Sequence, residues 1–149
     1  MNEGNRSLVV SKAFTILFMA ILIVTLFFSP RLIARLQIMS SNANAADPLF
    51  FFATVFVGAI PAAAILVSMY LLLHRISMGE VFVHKNVTYL RFMSWCFFIG
   101  GLIASASALY YAPWLPIGIA AVFMWLVIRV VMSVIEKAIA LQDDADHTI

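Results

Sequence analysis

The sequence predicts an all-α integral membrane protein, a four-helix bundle whose N- and C-termini both face the cytoplasm. Three observations predict it. Four long runs, Ala13 to Ser29, Leu49 to Leu73, Phe92 to Ala112 and Leu115 to Ile135, are free of acids and amides, and Arg129 is the one base within them. A hydrocarbon core takes about 20 helical residues to cross and heavily penalises charge at its centre. The composition agrees, with 64% apolar residues, 11% charged residues and a mean hydropathy of +1.06, far from the balance of a soluble domain. The third observation is the sorting of Lys and Arg. Arg6, Lys12, Arg75, Lys85, Arg91, Arg129 and Lys137 fall on one side of a four-crossing chain, and only Arg31 and Arg35 on the other. The positive-inside rule assigns the first group to the cytoplasm. Residues 1–149 then form one membrane domain, with an acidic cytoplasmic tail at 136–149.

Arg6 and Lys12 precede the first span, and Ala43-Asn44-Ala45 resembles a signal-peptidase site. That site lies far beyond the apolar run, so retention of the run as span one is expected. Proline at position 30 interrupts the helix after Ser29. Beyond it, Arg31 and Arg35 lie one turn apart, among Leu32, Ile33, Leu36 and Met39. This suits a short amphipathic helix at the outer surface, or a bent continuation of span one. Ser40 to Asp47 reads as a polar loop.

Span two carries Pro61 as a hinge or a static bend, and Gly58 and Ala62 have the small-xxx-small spacing of close helix packing. Span three repeats small residues at Gly100, Ala104 and Ala108, with Gly101 and Ser105 as an adjacent stripe. Tyr110 to Pro116 form a tight aromatic hairpin suited to a headgroup boundary, which makes spans three and four antiparallel neighbours. In span four, Arg129 either snorkels to the inner headgroups or serves function, and the helix is expected to run past the membrane until the acidic cluster stops it.

Several chemistries are disfavoured. Proton-coupled export wants an Asp, Glu or His within the spans, and the four runs hold none. His74, His84 and His147 lie outside the spans and match no haem or zinc pattern. Cys96 is the only cysteine, which excludes an internal disulfide or a CxxC pair, and it reads as a buried, inert thiol. No serine has His and acid partners in a known arrangement, and there is no glycine-rich phosphate loop. The sequence therefore predicts no enzyme, no cofactor, no bound metal and no direct contact with nucleic acid.

The unusual segment is Ile76 to Arg91. Gly79 is expected to break the preceding helix, and Val81, Phe82 and Val83 form an apolar patch in a polar inner loop. The patch either tucks against the bundle or docks a partner. Lys85, Asn86 and Arg91 have the opportunity to pair with Asp143, Asp144 and Asp146, which leave the bilayer on the same side. Gly79, Val81, Phe82, Lys85, Asn86, Arg91, Asp143, Asp144 and Asp146 are thus the candidate docking residues.

Gly79-Glu80-Val81-Phe82, then Asn86, then Leu90-Arg91, resemble the G-x-x-F-x-x-x-N-x-x-x-L-R signature of a domain-of-unknown-function family of small bacterial four-span membrane proteins. Ala138, Leu141 and the closing Asp146-His147-Thr148-Ile149 are similar to that family's L-x-x-(acidic)-D-x-T-(I or V) ending. Many members carry Thr or Ser after the Phe, as a cap for the next helix, where this chain has Val83. The resemblance implies a bacterial inner-membrane protein without an established activity. Members are often encoded beside a small helix-turn-helix repressor, which implies a regulatory role. The expected function is accordingly an interaction or regulatory component that docks a cytoplasmic regulator or another membrane protein through its inner loop and tail. The rival is a small-solute transporter or permease subunit acting as a homo-oligomer, which requires polar side chains aligned along a helix; Ser94, Ser105 and Ser107 are the sparse material for it.

Overall fold

The computed structural model describes residues 3–39 and 47–147. Five helices follow in order: α1 (Glu3–Phe27), α2 (Ser29–Met39), α3 (Pro48–Ser77), α4 (His84–Ser107) and α5 (Trp114–His147). Helices α1, α3, α4 and α5 are each long and apolar enough to cross a membrane. The chain is a multi-pass membrane protein.

Two predicted boundaries need correction. Span three ends at Ser107 rather than Ala112, because the chain folds into a turn in which the N–H groups of Tyr110 and Tyr111 both donate to the Ser107 carbonyl, at 3.2 and 3.1 Å. The acidic cluster does not stop span four, since α5 stays helical through Asp146. At 34 residues, α5 is roughly 51 Å long against a hydrocarbon core of about 30 Å, so one end projects well clear of it. The Ala43-Asn44-Ala45 motif and most of the polar loop lie outside the described residues.

Asp47 starts α3 by accepting from the Leu49 N–H at 3.1 Å, with Pro48 in the first helical position, where its missing N–H costs nothing. At Pro30 the interruption is brief: Phe28 N–H still reaches the Val24 carbonyl at 2.9 Å, and Arg31 and Leu32 both donate to the Phe28 carbonyl at 3.1 Å. The α2 helix is not detached at a surface. It packs on α1 and α3, burying Ser29 and Ile33, while Leu32 and Leu36 line a groove shared with the spanning helices. Arg31 lies outside, over the Phe28 ring at 5.9 Å.

The four-helix bundle is open. Each long helix packs on its neighbour in the chain: α1 on α3, α3 on α4, α4 on α5. Among the described residues no Cα of α1 comes within 8 Å of α4 or α5, nor any of α3 within 8 Å of α5. Thr15 is the one buried residue of α1, and its hydroxyl donates back to the Ser11 carbonyl at 2.8 Å. The rest of α1 shows apolar side chains on every side, as a lipid-facing helix does. The main core lies among α3, α4 and α5, built from Leu72, Val87, Leu90, Met93, Ile128, Met132 and Ile139. It sits toward the end that carries the α3–α4 connection. Ile139 belongs to the projecting part of α5, so the core anchors that projection.

Small residues set the closest helix crossing, but not the predicted set. A Cβ built on Gly118 would fall 2.4 Å from Ser105 Oγ and 3.0 Å from Ser105 N, and one on Gly101 would fall 3.1 Å from Val122 Cγ2. The α4–α5 crossing is therefore made by Gly101, Ser105 and Gly118, the adjacent stripe rather than the Gly100 row. Within that row Ala104 is buried, Ala108 caps α4, and Gly100 faces the Pro61 ring of α3, 3.9 Å from where its Cβ would stand. Gly58 mediates no close approach, since nothing lies within 4 Å of its Cβ position, and both Gly58 and Ala62 border the groove.

At the hairpin end a polar clamp joins α3 to the α4–α5 turn. Thr54 Oγ1 bonds Ser107 Oγ at 2.7 Å and the Tyr110 hydroxyl, and Tyr110 also donates to the Phe50 carbonyl at 3.1 Å. The Phe51 ring meets Tyr110 and Tyr111 edge-on, with centroids 5.0 and 5.5 Å apart. Buried hydroxyls of this kind hold helices together where lipid removes the hydrophobic drive, at about 0.6 kcal/mol each on average.

Gly118→Ala is expected to destabilise the protein by about 1–3 kcal/mol in reversible micellar unfolding, since α4 and α5 must separate to admit the methyl group. Gly58→Ala, made into open space, is expected to be neutral or to stabilise by up to about 1 kcal/mol. Equal losses at both positions would contradict the assigned crossing.

Candidate docking site

The candidate site is assembled at the end of the bundle that carries the α3–α4 turn. The turn begins where α3 stops. Gly79 has φ +87, a left-handed conformation that a side chain disfavours, and it donates to the Ile76 carbonyl at 3.0 Å while Glu80 N–H reaches back to the Arg75 carbonyl at 3.2 Å. These two bonds satisfy carbonyls that the helix end would otherwise orphan. The expectation that Gly79 breaks the helix is met. Arg75 and Glu80 add an ion pair at 3.3 Å across the same turn.

Asn86 then fixes the turn's far side. Its amide donates to the carbonyls of Glu80 and Val81, at 2.7 and 2.8 Å, from a fully buried position in the first turn of α4. Val83 holds the N-cap position with no side-chain cap bond, having no polar side-chain atom to supply one. Asn86 thus secures the loop backbone rather than reaching a partner directly, which corrects its assignment to the contact surface.

Held this way, the turn presents apolar side chains outward. Phe82 is 48% exposed and Val81 38%, with Met78 exposed beside them, and only Val83 is half-buried. The patch does not tuck beneath the helix ends.

The basic residues around it are mostly engaged with the protein itself. Lys12 Nζ donates to Ser77 Oγ at 3.2 Å and lies 3.4 Å from His74 Nδ1, tying α1 to the end of α3. Arg91 pairs with Glu136 at 3.3 Å, bridging α4 and α5. Its predicted pairing with the tail aspartates is therefore corrected: Asp143 lies seven residues beyond Glu136, roughly 10 Å further along α5. The Arg91–Glu136 pair is half exposed, and pairs of that kind contribute about 0–1 kcal/mol. Lys85 is exposed on the first turn of α4, and Asp143, Asp144 and Asp146 are exposed on the projecting end of α5.

Arg129 stands apart from this site. Its guanidinium lies 5.6 Å from the Trp95 ring and 5.7 Å from the Trp125 ring, about 9 Å inside the end of span four as measured from Ile135. Two aromatic faces stabilise the cation at that depth. Those tryptophans carried no signal in one dimension, because Trp95 reaches Arg129 only through the antiparallel pairing of α4 with α5.

No known family model, curated protein or solved structure matches the chain. The site accordingly stands on its geometry. Asn86→Ala strips two buried carbonyls of their donor and is expected to cost about 1–3 kcal/mol. Hydrogen exchange in micelles checks it: amides of 79–83 should lose protection while those of α5 keep theirs. Unchanged exchange in the turn would contradict the role given to Asn86.

Proposed function

We propose that the chain is a non-enzymatic docking component of the bacterial inner membrane, with both termini and the 78–83 turn facing the cytoplasm. The sorting of Lys and Arg supports that orientation, since all but Arg31 and Arg35 fall on the side of the turn and the chain ends. The observation that carries the docking role is an apolar patch held in a fixed backbone and left exposed. The Schellman-type bonds at Gly79, the Arg75–Glu80 pair and the buried Asn86 amide spend several polar groups to present Val81 and Phe82. Pre-ordering of this kind lowers the entropy that a partner must overcome on binding.

The neighbouring acidic helix end defines the partner's chemistry. Asp143, Asp144 and Asp146 crowd like charge at the C-terminal, partially negative pole of α5, where cations rather than anions are favoured. A partner with an apolar socket for Phe82 and a basic rim for these aspartates would relieve that repulsion. A small helix-turn-helix regulator, suggested by the family resemblance, has the basic surface required, because DNA binding demands one. Association through the tail would compete with DNA for that surface.

The transporter reading has less support. Ser94 donates to the Arg91 carbonyl at 2.7 Å, Ser107 to that of Ile103 at 2.8 Å, and Ser105 sits against Gly118. Each hydroxyl serves helix structure or packing, and they do not line one path.

Capture from native membranes tests the proposal with full-length protein. Phe82→Asp should cut recovery of the partner about thirtyfold, as for an anchor residue worth 2 kcal/mol or more. Combined Asp143→Asn, Asp144→Asn and Asp146→Asn should weaken the same partner and flatten its salt dependence. The same proteins recovered equally with wild type and both variants would overturn the docking role, as would robust solute flux in proteoliposomes containing the protein alone.

A further inference from the structure

On the seam between α4 and α5 stands a cation that the docking turn does not use. Among the described residues no carboxylate lies within ion-pairing distance of Arg129. The next acid along α5, Glu136, is seven residues on, roughly 10 Å, and is engaged by Arg91. Aromatic rings hold the guanidinium in place. Trp95 and Trp125 flank it at 5.6 and 5.7 Å, and Phe98 braces both rings, with centroids 6.0 Å from Trp95 and 5.3 Å from Trp125. Trp125 lies one turn closer to the hairpin, so this contact directs the side chain away from the nearer membrane face, as helical side chains lean toward their own N-terminus. Arg129 Nε is enclosed and unpaired, but the residue is only part-buried, which leaves the fork of terminal nitrogens at the surface. Trp95 beside it is 49% exposed. A charge at this depth is heavily penalised, and the two rings offset only part of that cost.

We propose that this seam docks a transmembrane helix of a different membrane protein, one whose Asp or Glu, at the depth of Arg129, accepts hydrogen bonds from the terminal nitrogens. A carboxylate matches the guanidinium fork with two parallel bonds, and the rings have already ordered the donor. Charge and depth select this occupant. A second copy does not supply the acid, because none of the four apolar runs contains one. A lipid phosphate stands outside the hydrocarbon core, whereas Arg129 lies about 9 Å inside the end of span four with its side chain directed further in. A carboxylate carried on a second helix reaches that level without displacing headgroups. Phe92 and Ile99, one turn to either side of Trp95, and Leu126, one turn from Arg129, are exposed and apolar. They suit a helix packed in lipid and leave the ion pair as the feature that selects the partner. This contact is separate from the one assigned to Phe82 and requires only that α4 and α5 cross the membrane.

The test reconstitutes the full chain in phosphatidylcholine vesicles with a polyleucine peptide of about 23 residues, long enough to span them. The peptide carries one Asp about four residues from its middle, the place of Arg129 in the run Leu115 to Ile135, and a diazirine-bearing leucine analogue beside it. After irradiation and mapping, cross-links to the segments around Trp95 and Trp125 should exceed those of an otherwise identical peptide without Asp about tenfold, the effect of one polar pair between helices in lipid. Cross-links to Ile23, exposed on α1, should not distinguish the two peptides. Arg129→Leu should erase the difference, and Arg129→Lys, which keeps the charge and loses the fork, should give an intermediate value. Unchanged labelling at Ile23 in both variants reports that the bundle is retained. Equal labelling of the wild-type seam by the two peptides would overturn the proposal, as would an Asp preference that survives Arg129→Leu. A preference abolished by added phosphatidylglycerol would overturn it in favour of a lipid phosphate. Arg129-dependent cross-links between two copies of the chain would overturn it in favour of self-association.

Discussion

Lipid offers the polypeptide no hydrogen bonds, and this constraint organises the whole molecule. Every backbone N–H and C=O that enters the hydrocarbon must find its partner within the chain, so helices are the available solution for a short sequence with no closed barrel. Four of the five helices have the length and composition to satisfy it. The places where the helical ladder is broken show how the constraint is met. Pro30 is bridged by bonds to the Phe28 carbonyl, and the α3 end is closed by the left-handed Gly79. Pro61 is buried inside α3, where it removes a donor from the ladder, and the chain tolerates it beside the Gly100 backbone.

Within that limit the helices cannot rely on hydrophobic burial to find one another, and the structure divides the work. The α4–α5 pair is the rigid part, locked by backbone approach at Gly101 and Gly118, by the aliphatic core at one end, and by the Arg91–Glu136 bridge. Helix α3 is joined to it by hydroxyls and aromatic rings at the hairpin end and by Leu72 at the other. Helix α1, with Thr15 its sole buried side chain, is attached through α3 and the Lys12 contacts to His74 and Ser77. The aliphatic core therefore stands directly behind the exposed turn and the projecting acidic helix, while the closest helix approach lies toward the hairpin end. The 78–83 turn mounted on that base is positioned by the core itself.

Much of the fold was legible in the sequence, because membrane crossing is written in composition over long runs. The four spans, the tight third connection and the helix-breaking role of Gly79 follow from runs and single breakers. What was not legible depends on which residues face each other. Gly118 carries the same chemistry as Gly58, yet only Gly118 meets a neighbouring backbone, and a one-dimensional pattern does not distinguish them. The Gly100 stripe and the Gly101 stripe are adjacent rows on one helix, and the choice between them is made by where α5 lies. Asn86 looked like a surface residue in a polar loop, but a side chain that bonds two carbonyls of its own turn must be inside it. The acidic cluster was expected to end α5; anchorage of Ile139 in the core carries the helix past the unfavourable charges.

The central claim is that the chain crosses the bilayer an even number of times, so that its ends share a face with the 78–83 turn. Cysteine accessibility tests this most directly, in a Cys96→Ala background with single substitutions Asn5→Cys, Phe82→Cys, Ala112→Cys and Gln142→Cys. A membrane-impermeant maleimide applied to right-side-out and inverted vesicles should modify positions 5, 82 and 142 from the cytoplasmic face and position 112 from the opposite one. Modification of positions 5 and 142 from opposite faces would contradict the account.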